Sequence, residues 1–141
     1  MARKITVVVE TGRDMFSCFM SGASDLPIHV IGDGKTVRAA MEDFRTAFNE
    51  AKAYCEEQGT PLPELEFDFV LDVGAFLNYY PINVTAFAEY IGMNTSLLRQ
   101  YASGLKVPKD KNLGKIRDGI QRIAKDIAAG HLIDKPVLQY I

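Results

Sequence analysis

Cysteine and histidine are scarce in this chain, with two of each. Cys18 and Cys55 cannot supply a disulfide framework, so a reduced, cytoplasmic setting is the default expectation. Both fall within apolar patterns and are expected to be core residues. His29 and His131 lie far apart in sequence, with no third ligand type at metal spacing, and neither is read as metal-binding. Long apolar runs are missing as well. The longest clean ones, such as Ile5 to Val9, fall far short of the ~20 residues that a membrane span needs. Met1-Ala2-Arg3-Lys4 leads straight into a strand-like pattern, with no apolar stretch and small-residue cleavage site, so no secretory signal is expected. Gly32-Asp33-Gly34 lacks the third glycine of a dinucleotide-binding fingerprint. No internal repeat and no low-complexity segment occurs. What is present is ordinary for a globular protein: 141 residues, 48% hydrophobic and 24% charged, enough for one domain or two small ones.

The net charge of −2 conceals an uneven distribution. Residues 1–80 carry 7 Lys/Arg against 13 Asp/Glu, whereas residues 81–131 carry 8 against 4. Only the C-terminal half therefore suits a polyanionic partner.

Hydrophobic periodicity divides the chain the same way. Ile5 to Val9 is β-branched and reads as a strand, Gly12-Arg13-Asp14 as a turn, and Met15 to Met20 as a second strand. Ile28 to Ile31 reads as a short third strand closed by Gly32-Asp33-Gly34. The period then changes. Val37, Met41, Phe44, Phe48, Ala51 and Cys55 trace one stripe of an amphipathic helix. Thr36 is its expected N-cap, Gly59 its stop, and Pro61 and Pro63 prevent continuation. Leu65, Phe67, Phe69 and Leu71 then alternate with Glu66, Asp68 and Val70, a strand with one buried face. The first unit is thus β-β-β-α-β, a small sheet with a helix on one face.

Beyond Asp72 only helical patterns remain. Val73 to Tyr80 is a short helix ended by Pro81. Asn83 can cap a helix carrying Val84, Phe87, Ala88 and Ile91, which Gly92 breaks. Thr95 to Ser103 follows, stopped by Gly104, then a polar loop from Lys106 to Asn112. Leu113, Ile116, Ile120, Ile123 and Ile127 form the stripe of a last helix ended by Gly130. The tail carries Val137, Leu138, Tyr140 and Ile141, suited to adding a strand to a partner or to packing on the protein itself. The fold class is α+β, with a sheet domain at 1–71, an all-α domain at 72–130 and a tail at 131–141.

Two short helices joined by a Gly92 turn have the geometry of a helix-turn-helix. Gly92 can take the left-handed conformation that reverses the chain. Ala88 is small where the helices would cross, and Ile91, Met93, Leu98 and Tyr101 would form their shared core. Asn94, Thr95, Ser96, Arg99, Gln100 and Ser103 are left on a polar outer face, able to lie in a major groove. Arg99 can donate twice to guanine and Gln100 can pair with adenine, while Thr95 and Ser96 complete the base-reading set. Asn94, Ser103, Lys106, Lys109, Lys111 and Lys115 are the candidate phosphate contacts. Phe87-Ala88-Glu89-Tyr90-Ile91-Gly92-Met93, followed by Tyr101-Ala102-Ser103-Gly104 and Pro108, resembles the helix-turn-helix of phage-repressor-like (Xre/Cro) proteins.

The β-β-β-α-β order, with Asp25-Leu26-Pro27 and then Gly32-Asp33-Gly34-Lys35-Thr36 opening a helix, resembles the HicB antitoxin family over about residues 4–129. Ile28 and His29 stand where that family often has Gly-Cys. The resemblance implies an incomplete, non-catalytic RNase H-like domain followed by a helix-turn-helix domain. It further implies a type II antitoxin that sequesters a HicA-like ribonuclease toxin and represses its own operon. Homodimers or tetramers on double-stranded operator DNA with an inverted repeat are implied too.

Glu64, Glu66 and Asp68 share one strand face, the only hint of a metal-dependent nuclease, and are read as a solvated face. Phe76, Tyr79 and Tyr80 are read as packing rather than as a base-stacking platform. No enzymatic activity, cofactor or membrane partner is expected. The rival to a repressor is an antitoxin-derived protein-interaction or oligomerisation module without DNA binding, motivated by a recognition helix with one basic residue.

Overall fold

Alternation in the first strand sets up the whole N-terminal unit. In the computed structural model, which describes residues 1–130, 132 and 135–140, Ile5, Val7 and Val9 point to the same face of β1 (Arg3–Thr11) and are buried. The chain reverses through Gly12, whose N–H donates to the Met15 carbonyl at 2.9 Å, into β2 (Phe16–Ser21). β3 (Ile31–Gly34), α1 (Val37–Glu57) and β4 (Leu65–Leu71) follow. The sheet order is β3-β2-β1-β4, antiparallel except for the parallel β1–β4 pair. α1 covers one face. Thr36 caps it, its side chain accepting from the Ala39 N–H at 3.0 Å. Gly59 ends it at φ +75°, in the left-handed region that favours glycine. Phe44 packs edge-on against Phe67 and Phe69, with ring centroids 5.1 and 5.9 Å away.

The third strand is not where its β-branched residues lead one to expect it. It spans Ile31–Gly34, so the two glycines expected to close it lie inside it. The reason is proximity to α1. A Cβ on Gly32 would meet the Ala40 carbonyl oxygen at 2.6 Å, and one on Gly34 would meet the Ala40 backbone nitrogen at 2.5 Å. Only glycine lets the strand pass so close to the helix. Ile28 and Val30 still pack into the core from the segment before it.

Four helices complete the described fold: α2 (Val73–Tyr79), α3 (Val84–Ile91), α4 (Thr95–Ala102) and α5 (Asp110–Ala129). Asp72 joins them to the sheet. Its carboxylate accepts from the Thr11 N–H at 2.8 Å, the Thr11 hydroxyl at 2.6 Å and the Ala75 N–H at 2.8 Å. One side chain thus caps α2 and fastens the end of β1. Asn78 extends the tie, its amide donating to the Gly74 carbonyl at 2.8 Å and to the Ala102 carbonyl, at the end of α4, at 2.7 Å. α2 is consequently shared: Ala75 belongs to the sheet core, Leu77 to a second core with Phe87, Ile91, Leu98, Tyr101 and Ile116. α5 crosses α3 at Gly119, where a Cβ would collide with the Ile91 side chain.

α5 begins at Asp110, inside the segment expected to be loop. Asp110 sits in the first turn, where its charge suits the helix dipole. Asn112 donates to the Tyr101 hydroxyl at 2.9 Å, which holds that first turn against α4. Val137–Tyr140 forms a single 3-10 turn with Val137 and Leu138 exposed. His131 and Ile141, read from sequence as a surface histidine and part of the apolar tail, lie outside the described residues. No helix among the described residues is long and apolar enough to cross a membrane.

Two measurements follow from the sheet. Gly32→Ala should lower unfolding free energy by about 1–3 kcal/mol in a urea titration, because the helix backbone cannot yield to the added methyl. Burial pushes the Cys18 thiol up to about 11. Between the unfolded thiol's value near 9 and that figure, the unfolded chain alone loses the proton, so stability falls as pH rises. Unfolding titrations across this window should show a shallower alkaline decline for Cys18→Ala than for the parent chain.

Candidate nucleic-acid interface

α3 and α4 are eight-residue helices separated by residues 92–94. Local chemistry defines each end. Asn83 caps α3, accepting from the Ala86 N–H at 3.0 Å, and Asn94 caps α4, accepting from the Leu97 N–H at 3.1 Å. Between them Gly92 adopts φ 70°, ψ 39°, and the Met93 N–H donates to the Ala88 carbonyl at 2.9 Å. Ala88 is fully buried in the core that α3 shares with α4. Leu98 and Tyr101 supply the inner face of α4.

The outer face of α4 carries the residues singled out from the sequence. Asn94, Ser96, Arg99 and Ser103 are exposed, while Thr95 and Gln100 are half-buried. Their helical positions place them on one side. Some already have partners. Asn94 uses its Oδ1 as the cap, leaving its amide nitrogen to donate outward. Ser103 donates to the Gln100 carbonyl at 3.2 Å. Arg99 donates through Nη2 to the Thr85 hydroxyl at 2.9 Å, and its other guanidinium donors have no partner among the described residues. Thr85 was missed by sequence reading. It lies 14 residues before Arg99 on the other helix, so only the packing of the two helices reveals the pair.

The lysines are less concentrated than their sequence spacing implies. Lys115 donates to the Gly92 carbonyl at 3.3 Å and so stands at the turn leading into α4. Lys109 and Lys111 flank a shallow hollow beside Tyr101 and Asn112. Lys106 lines a separate cleft between the sheet and α5. Arg122 on α5 lies over the Tyr90 ring of α3, 4.9 Å from its centroid, a basic residue that sequence patterning did not single out.

The sheet presents a different surface. Opposite α1, Val70, Val8, Phe19 and Ile31 stand in register across all four strands. Val70 and Ile31, at the two edges, are 41% and 51% exposed, so this apolar row is uncovered. Glu10, Ser17 and Asp33 form the next row on one side, and Asp68, Thr6 and Ser21 the row on the other. Glu66 is paired in register with Lys4. Among the described residues no group of three His, Cys, Asp or Glu side chains could hold a metal ion.

Compared with known proteins, the chain matches no family model, no curated protein and no solved structure.

The turn can be tested apart from packing. A Cβ at Gly92 would meet nothing within 4 Å, so Gly92→Ala adds only the strain of a left-handed backbone. The expected loss is about 1 kcal/mol of unfolding free energy, read by chemical denaturation.

Proposed function

We propose that the chain is a DNA-binding transcriptional repressor of the type II antitoxin kind. In this reading the sheet unit is an incomplete RNase H-like domain and α3–α4 a helix-turn-helix, with α4 as the recognition helix. The observation that carries it is the Gly92 turn between α3 and α4, together with the polar outer face that α4 turns to solvent. Thr95, Ser96, Arg99 and Gln100 read bases. Asn94, Ser103, Lys106, Lys109, Lys111 and Lys115 contact phosphates. A homodimer or tetramer then places recognition helices roughly 34 Å apart on an operator with an inverted repeat. The excess of acids in residues 1–80 and the open apolar row of the sheet support the second half of the reading, in which the N-terminal unit binds a basic protein such as a HicA-like toxin. No catalytic role is assigned to either unit.

One observation favours the rival reading of an interaction module without DNA binding: Arg99 is the only basic residue within α4. The two are separated by fluorescence anisotropy of the protein with its own upstream DNA and with a scrambled duplex, each over a salt series. Preferential binding to the native duplex that survives moderate salt supports the repressor. Equal, salt-sensitive binding reports phosphate contacts alone, and no binding favours the interaction module. Arg99→Ala should cost about 1–3 kcal/mol at one base position of the operator if the guanidinium makes a bidentate contact. A uniform loss across all sequences would reassign Arg99 to the backbone.

A further inference from the structure

Where the sheet meets the helical unit, a cleft of about 480 Å³ opens between the end of β4, α2, the loop after α4 and α5. This volume falls in the range of small-molecule sites, about 300–1,000 Å³. Its walls are apolar, with Phe76, Val107, Leu113 and Ile120 among them, and three ionised residues line it: Asp72, Lys106 and Arg117. Asp72 is already satisfied by three hydrogen-bond donors. Lys106 and Arg117 are exposed and take part in no ion pair among the described residues. With two cations against one carboxylate, and that carboxylate turned to Thr11 and Ala75, the net charge at the cleft is positive.

We propose that this cleft binds a small organic anion: an apolar body, aliphatic or aromatic, bearing one carboxylate or sulfonate. The apolar walls take the body, and Lys106 and Arg117 hold the anionic group. A free phosphate lacks the body and leaves the walls hydrated. A second copy of α5 is a poor occupant, because that helix carries five Lys/Arg against three Asp and would bring like charge to a cationic rim. The site does not rest on the DNA-binding reading, since none of its walls needs DNA to form.

The test uses the full chain and the fluorescent probe 8-anilinonaphthalene-1-sulfonate, titrated at constant ionic strength. One saturable site per chain is expected. Decanoate and indole-3-acetate should displace the probe, their relative strength showing whether an aliphatic or aromatic body fits better. Decyltrimethylammonium, a cation of similar length, should not. Lys106→Gln with Arg117→Gln should weaken probe binding about tenfold or more, equivalent to about 1.4 kcal/mol. Both residues are exposed, so the variant is expected to fold, and circular dichroism confirms it. Ile120→Trp should block the probe by filling the cleft. Equal displacement by the cation, or an unchanged affinity in the double glutamine variant, overturns the proposal. So does absence of probe binding together with a dimer in light scattering that Ile120→Asp dissociates, which would give the cleft to a second copy.

Discussion

The Asp72 carboxylate is the point on which the relation between sheet and helices depends. A carboxylate that accepts two backbone N–H groups and a hydroxyl fixes three things together: where β1 ends, where α2 begins, and the angle between them. The Asp72 N–H closes the arrangement by donating to the Val9 carbonyl at 3.0 Å. Gly74 then lies against Thr11 and the Tyr101 carbonyl with no room for a side chain. Gly104, just past α4, is pressed against Thr11 in the same way. Two glycines and one carboxylate thus let two cores, each built by ordinary apolar periodicity, share a single helix as a wall.

Most of this architecture was legible because its elements follow one pattern each. The stripe from Val37 to Cys55 has a helical period and the run from Leu65 to Leu71 a strand period, and both elements form where those periods place them. The failures have a common cause. Gly32 and Gly34 look like a turn when read locally, yet their role is set by Ala40 and Phe44 on a helix that follows. Asp72 stands in the sequence only as the residue where helical patterns begin, and nothing near it announces its cap on α2 or its partner at Thr11. At the candidate site, the polar face of α4 was legible from helical spacing, whereas the Arg99–Thr85 pair and the Arg122–Tyr90 contact were not. Pairs across a helix crossing carry no local period. The lysines illustrate the same limit in reverse: neighbours in sequence, they are distributed to the turn, a hollow and a cleft.

The two units also differ in how they treat exposed apolar area. The sheet keeps an uncovered apolar row but borders it with Glu10, Asp33 and Asp68, which discourages pairing with an identical face. The helical unit keeps its apolar cleft beside cations. Each surface therefore carries its own electrostatic filter, and of opposite sign.

The parallel pairing of β1 with β4 imposes an order of events during folding. Thr11 and Asp72 are 61 residues apart, with β2, β3 and α1 between them. Closing so long a loop is an entropic cost met before any parallel contact forms, so this step belongs late in the assembly of the sheet. Asp72 follows β4 immediately, and its carboxylate finds Thr11 only when the strands have come into register. The seating of α2, and through Asn78 of α4, is therefore timed by sheet closure. In a chain emerging from synthesis the four strands precede α2 to α5, so β4 can reach its register before the last helices are complete, and that register acts as the checkpoint that docks one half onto the other.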